Sequence, residues 1–147
     1  MMKKMIAGAL ALVMMMALAA CGSSNGGSDT AKEAPDLTKY YEDFMASLGA
    51  DNAPAMMSAL DDASFVDSFF PGLNDIEMKQ TVLQMAMMAQ VGFELDLVEC
   101  ANAADVETVK EIFQARIDNQ VAGGAFYPAV AEAWEKGEII VNGNVVA

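Results

Sequence analysis

Histidine is missing from all 147 residues. Its absence removes the usual general base, the commonest zinc ligand and every Ser-His or Cys-His nucleophile. Cysteine occurs only at Cys21 and Cys100, which allows at most one disulfide, so stability must come from apolar burial. Basic residues are scarce as well: 8 Lys and Arg stand against 21 Asp and Glu, for a formal net charge of −13. Such a chain repels nucleic acid and anionic lipid head groups, and no nucleic-acid partner is expected. The apolar run Met5–Ala20 is short of the roughly 20 residues that a membrane-spanning helix needs.

That run nevertheless has a use. Lys3 and Lys4 precede it, the charge-then-apolar layout of a secretory signal. It ends in Leu18-Ala19-Ala20-Cys21, which resembles the lipobox of bacterial lipoproteins. The resemblance implies cleavage before Cys21 and a diacylglyceryl group on its sulfur, with the chain held on the extracytoplasmic face of the cell membrane. Two or three acyl chains hold a protein stably where a single one does not. Gly22 to Ser28 reads as a flexible tether, and no retention aspartate follows the cysteine. The expected organisation is a signal peptide at 1–20, a lipidated cysteine and tether at 21–35, and a single domain at 36–147 whose end reads as truncated. The mature chain would carry a formal charge of −15, and Cys100 would be its only thiol.

Hydrophobic periodicity outlines the domain. Leu37, Tyr40, Tyr41, Phe44, Met45 and Leu48 recur on one helical face, with Asp36 as N-cap and Gly49 as stop, predicting a helix over 36–48. Met56 to Leu60 has the composition of a short strand, and Asp61 is placed to cap a helix running to Phe69 before Pro71-Gly72. Strands are predicted over 78–88 and 91–101; in the second, Val91, Phe93, Leu95 and Leu97 alternate with Gly92, Glu94 and Asp96, the period of a half-buried strand. A long amphipathic helix is predicted over 103–121, from Val106, Val109, Ile112, Phe113 and Ile117, and a short one over 129–136. Asn142-Gly143 is a type I′ hairpin signal joining strands at 138–141 and 144–147. The last strand stops after four residues, which is why the end reads as unfinished. The expected fold is α+β: a small antiparallel sheet of about four strands, a long helix packed on one face and an additional N-terminal helix.

Two patterns invite metal and are answered by spacing. Asp61, Asp62, Asp67, Asp75 and Glu77 do not follow the alternate-position ligands and sixth-position glycine of a calcium loop, and read as a solvated face. Met85, Met87 and Met88 offer soft thioethers for copper(I), but with no histidine or paired cysteine they read as core or sheet face. No metal or cofactor is expected. Arg116, the single arginine, interrupts the apolar stripe of its helix, and Gln120 does the same. A buried guanidinium needs a partner. Either an internal acidic group or strand-end carbonyls satisfy it, with Gln120 and the Tyr127 hydroxyl completing the network, or it forms an anion site for a carboxylate ligand.

Tyr40-Tyr41-Glu42, the strand ending Glu99-Cys100-Ala101, the helix from Val109 to Gln120 with its Arg116-x-x-x-Gln120 spacing, Tyr127-Pro128 and Gly137-Glu138-Ile139-Ile140 together resemble the uncharacterised bacterial lipoprotein family catalogued as domain of unknown function 4358. That resemblance covers most of the mature chain and is tightest from Phe93 to Val146. It implies a chain running several residues past Ala147, and it carries no activity. A non-catalytic interaction or accessory domain with an envelope protein as partner is therefore the first reading. A small solute- or anion-binding lipoprotein using Arg116 is the alternative, and a cell-envelope enzyme the weakest, because no convergent catalytic groups stand out.

Overall fold

In the computed structural model, which describes residues 35–147, the first element is helix α1 (Leu37–Leu48). Leu18, Ala19, Ala20, Cys21 and the tether up to residue 34 lie outside the described residues. The Asp36 carboxylate accepts a hydrogen bond from the Lys39 amide at 3.0 Å, and Gly49 closes the helix at φ +72°. Strand β1 (Met57–Ala59) follows, then helix α2 (Ala63–Phe69). Asp62 rather than Asp61 caps α2, because its carboxylate is the one that reaches the Ser64 amide, at 2.9 Å.

After a single 3-10 turn come β2 (Met78–Ala86) and β3 (Glu94–Cys100), each shorter at the shared loop than the apolar pattern suggested. The loop is seven residues long because Ala86 and Phe93 are the last to exchange a ladder bond before the chain turns through Met88 and Val91. The predicted helix over 103–121 resolves into a 3-10 turn at Ala103–Asp105, helix α3 (Val106–Asn119) and a wide turn at Gln120–Gly124, which Gly123 closes at φ +128°. Helix α4 (Pro128–Trp134) begins on the proline, whose missing N–H is not needed at a helix start. Strands β4 (Val141–Asn142) and β5 (Val145–Val146) form the expected hairpin, with Gly143 at φ +60°.

All pairings are antiparallel and the strand order is β1-β2-β3-β5-β4. The sheet thus has five strands, one more than the four expected, because Met57–Ala59 pairs with Gln84–Ala86 at its edge. The fold is α+β as expected, with one arrangement that periodicity did not reveal. Val82 and Leu83 are neighbours in sequence and both buried, as are Leu97 and Val98. Successive strand residues point to opposite faces, so both faces of the sheet are covered. Leu83, Val98, Cys100 and Val146 pack with Val106, Val109 and Phe113 of α3, with Val66 of α2 and with Phe70 at its C-cap. On the other face α1 lies along β2, with Phe44 stacked on Phe93 at 6.5 Å.

One side chain fastens α1 to that face. Gln80 Oε1 accepts the Leu37 amide at 3.0 Å, while its Nε2 donates to the Pro35 carbonyl at 3.1 Å and to Glu99 Oε2 at 2.8 Å. Glu99 is buried, 6% exposed, and Lys79 approaches its other oxygen at 3.6 Å. Removing Gln80 orphans a helix-start amide and a buried carboxylate together. Gln80→Ala is expected to lower stability by about 1–3 kcal/mol, read as a reduced urea midpoint. Lys79→Ala, whose ammonium is half exposed, should shift that midpoint far less; equal shifts would show that Gln80 is not the fastening group.

Candidate functional site

Arg116 faces the sheet from the last turn of α3. Its Nε donates to Glu94 Oε1 at 2.9 Å and its Nη2 to Glu94 Oε2 at 2.8 Å, a bidentate pair in which the side chains are 10% and 6% exposed. The guanidinium carbon lies 5.0 Å from the Phe69 ring centre, 5.1 Å from Trp134 and 5.9 Å from Phe70. Aromatic faces attract a cation most strongly where water is excluded. Residues from α2, α3, α4, β3 and the C-cap of α2 thus meet at one positive charge.

Asp96 lies two residues along β3 from Glu94 and so on the same face. Its Oδ1 is buried without a hydrogen-bond partner. Burial pushes the Asp96 carboxyl well above the ordinary range, and the adjacent Glu94 charge and hydrogen bond push it further; Arg116 and the Gln84 backbone oppose this. Asp96 therefore holds its proton to higher pH than an exposed aspartate.

Glu94 and Asp96 are the functional candidates that sequence reading missed. Their alternation with Leu95 and Leu97 places them on the polar side of a half-buried strand, and the structure buries that side too. The usable signal was Arg116 itself, since an arginine on an apolar stripe demands a carboxylate from whatever lies beneath it. Gln120 opens the wide turn after α3 and lines the same small cleft as Arg116 and Glu94. The Tyr127 hydroxyl accepts from Gln90 Nε2 at 3.2 Å and makes no hydrogen bond to Arg116. Cys100 is fully buried in the core and its thiol is pushed up by that burial.

Arg116 separates two openings. A cleft of about 330 Å³ between α2 and α3 is lined by Ser68, Phe69, Thr108, Glu111 and Asn119. A smaller one of about 150 Å³ is lined by Met85, Met88, Phe93, Trp134 and Phe126. Around the second lies an apolar tip. Met56 is 66% exposed, Met87 61% and Phe126 84%. The Met87 amide donates to the Met56 carbonyl at 3.0 Å, setting the two methionines side by side, and Phe126 meets Tyr127 edge-on at 5.3 Å. Met56 is also the one non-glycine residue with positive φ, +58°, among the described residues, a conformation costing about 1 kcal/mol or more. Among the described residues no group of three metal-ligating side chains gathers, and no helix is long and apolar enough to cross a membrane.

The architecture is that of a mixed helix-and-sheet domain with an open antiparallel sheet, to which a buried ion pair ties α3. The sequence profile of DUF4358, a domain of unknown function, matches residues 50–147, and the chain belongs to that family. No curated protein and no solved structure matches it.

The buried cluster makes two opposed predictions. Arg116→Ala leaves Glu94 charged and unpaired and is expected to cost about 3–5 kcal/mol, read by denaturant unfolding. For Asp96 the sign runs the other way. An unfolded aspartate titrates near 3.9, the folded one higher, so the native state binds its proton more tightly. That contribution is present below the unfolded value and is lost as pH rises through the folded one. Asp96→Asn removes it, so the variant should be as stable as wild type or more so near pH 7, and wild type should gain on it as pH falls towards 4. A stability difference that stays constant with pH would refute the raised carboxyl.

Proposed function

We propose that this protein is a lipid-anchored extracytoplasmic domain that binds another envelope protein through its apolar tip. The supporting observation is the exposure of Met56, Met87 and Phe126 on neighbouring turns of an acidic chain. Contiguous exposed apolar side chains on a small domain mark contact surfaces, and aromatic and methionine side chains are enriched in interface centres. The strained Met56 backbone favours the same reading, since strain is retained where surroundings use it. Lys3, Lys4, the apolar run and Leu18-Ala19-Ala20-Cys21 support the anchor. The anion-binding alternative is weaker because Glu94 already occupies two of the donors of Arg116.

Crosslinking on intact cells followed by capture of the protein tests this. A specific crosslinked species is expected with wild type and is expected to disappear with Met87→Asp or Phe126→Asp, both exposed and therefore near-neutral for folding. Cys21→Ser should shift the protein out of the membrane fraction. Recovery of monomer alone under several growth conditions would overturn the partner, and unchanged fractionation of Cys21→Ser would overturn the anchor.

A further inference from the structure

The larger of the two clefts that Arg116 borders, about 330 Å³ between α2 and α3, has the size of a small-molecule site, roughly 300–1,000 Å³. Its long wall is one stripe of α3. Thr108, Glu111, Ile112, Ala115, Arg116 and Asn119 recur at three- and four-residue steps and all line it, with Phe69 and Pro71 opposite. The middle of the stripe is apolar, and its two ends are polar.

Each end carries a charge with capacity to spare. Glu94 engages Nε and Nη2 of Arg116, while Nη1 makes no hydrogen bond among the described residues. That nitrogen is not sealed from solvent as Tyr40 Oη and Asp96 Oδ1 are, although the side chain as a whole is only 10% exposed. A buried guanidinium with an open donor at the end of a cleft suits an anionic group. Towards the other end, Glu111 is exposed and forms no ion pair among the described residues. The smaller cleft is a poorer place for an anion, because Glu94 itself lines it.

Charge and length then select the ligand. A chain of formal charge −13 repels a purely anionic solute and leaves a zwitterion unopposed. Glu111 and Arg116 are five positions apart, about 7.5 Å along the helix axis. An extended peptide advances about 3.5 Å per residue, so two residues bridge the pair. We propose that this cleft binds an apolar dipeptide, with its carboxylate on Arg116 Nη1, its ammonium on Glu111 and its side chains against Phe69, Ile112 and Ala115. The site shares no residue with the apolar tip and goes beyond the partner reading.

The probe is alanyl-leucine, titrated into the full chain by calorimetry and followed by thermal unfolding. Saturable heat and a concentration-dependent rise in melting temperature are expected. Alanyl-leucine amide, which lacks the carboxylate, should bind about tenfold more weakly, the loss of one charge-assisted contact. N-acetyl-alanyl-leucine, which lacks the ammonium, should bind about threefold more weakly, since Glu111 is solvated. Glu111→Gln should weaken alanyl-leucine by that same factor and leave the N-acetyl form unaffected, a pattern that a merely structural role for Glu111 does not produce. Ala115→Trp, at an exposed position, fills the cleft and should abolish binding with the urea midpoint unchanged. Absence of saturable binding would overturn the proposal, and so would binding that survives Ala115→Trp or that fails to distinguish the peptide from its amide. Free leucine binding as tightly as the dipeptide would overturn the two-residue length.

Discussion

The pairing of Arg116 with Glu94 is the contact on which the placement of the helices depends. A guanidinium that is nine-tenths buried can persist only if a carboxylate meets it with good geometry, and here two parallel hydrogen bonds do so. Because the remaining surface of the cation is covered by Phe69, Phe70 and Trp134, the pair also positions α2 and α4 against α3. An apolar residue at 116 would bury area but would not specify which strand residue lies beneath it. The ion pair does, and it ties the end of α3 to the start of β3.

A second constraint follows from covering both sheet faces. Neighbouring residues on β2 and β3 are buried together, so a slip of one position would exchange Leu83 and Val98 with Val82 and Leu97 without exposing anything apolar. Hydrophobicity alone therefore leaves the register weakly determined. The polar contacts decide it: Gln80 must reach Leu37, Pro35 and Glu99 at once, and Glu94 must lie on the α3 side. The bulge between Met78 and Gln80 lets the first of these contacts form without disturbing the second.

The functional features sit where this framework ends. The apolar tip gathers on the turns beyond β2 and after α3. It adjoins the buried Arg116–Glu94–Asp96 cluster, in which burial and the neighbouring Glu94 push the Asp96 carboxyl up. Strong packing at Phe113, Leu73 and Val109 supports these less satisfied surroundings, the usual division between a rigid core and the surface that does the work.

Much of the plan was legible in the chain itself. Asp36 and Gly49 bound α1, Asn142-Gly143 makes the final hairpin, and the stripe of Val106, Val109 and Phe113 makes α3, because capping, turn conformation and helical period are local properties. The need for a partner at Arg116 was legible for the same reason. The identity of that partner was not, since Glu94 lies 22 residues away and its alternation with Leu95 is the pattern of a solvated strand. The pairing of Met57–Ala59 with the end of β2 and the placing of α1 opposite α3 were likewise settled only by packing. Sequence alone determined most of the elements and the need of Arg116 for a buried partner. The tertiary structure decided which faces close on each other, because burial on both sides of a sheet is a relation between distant segments and leaves no local period to read.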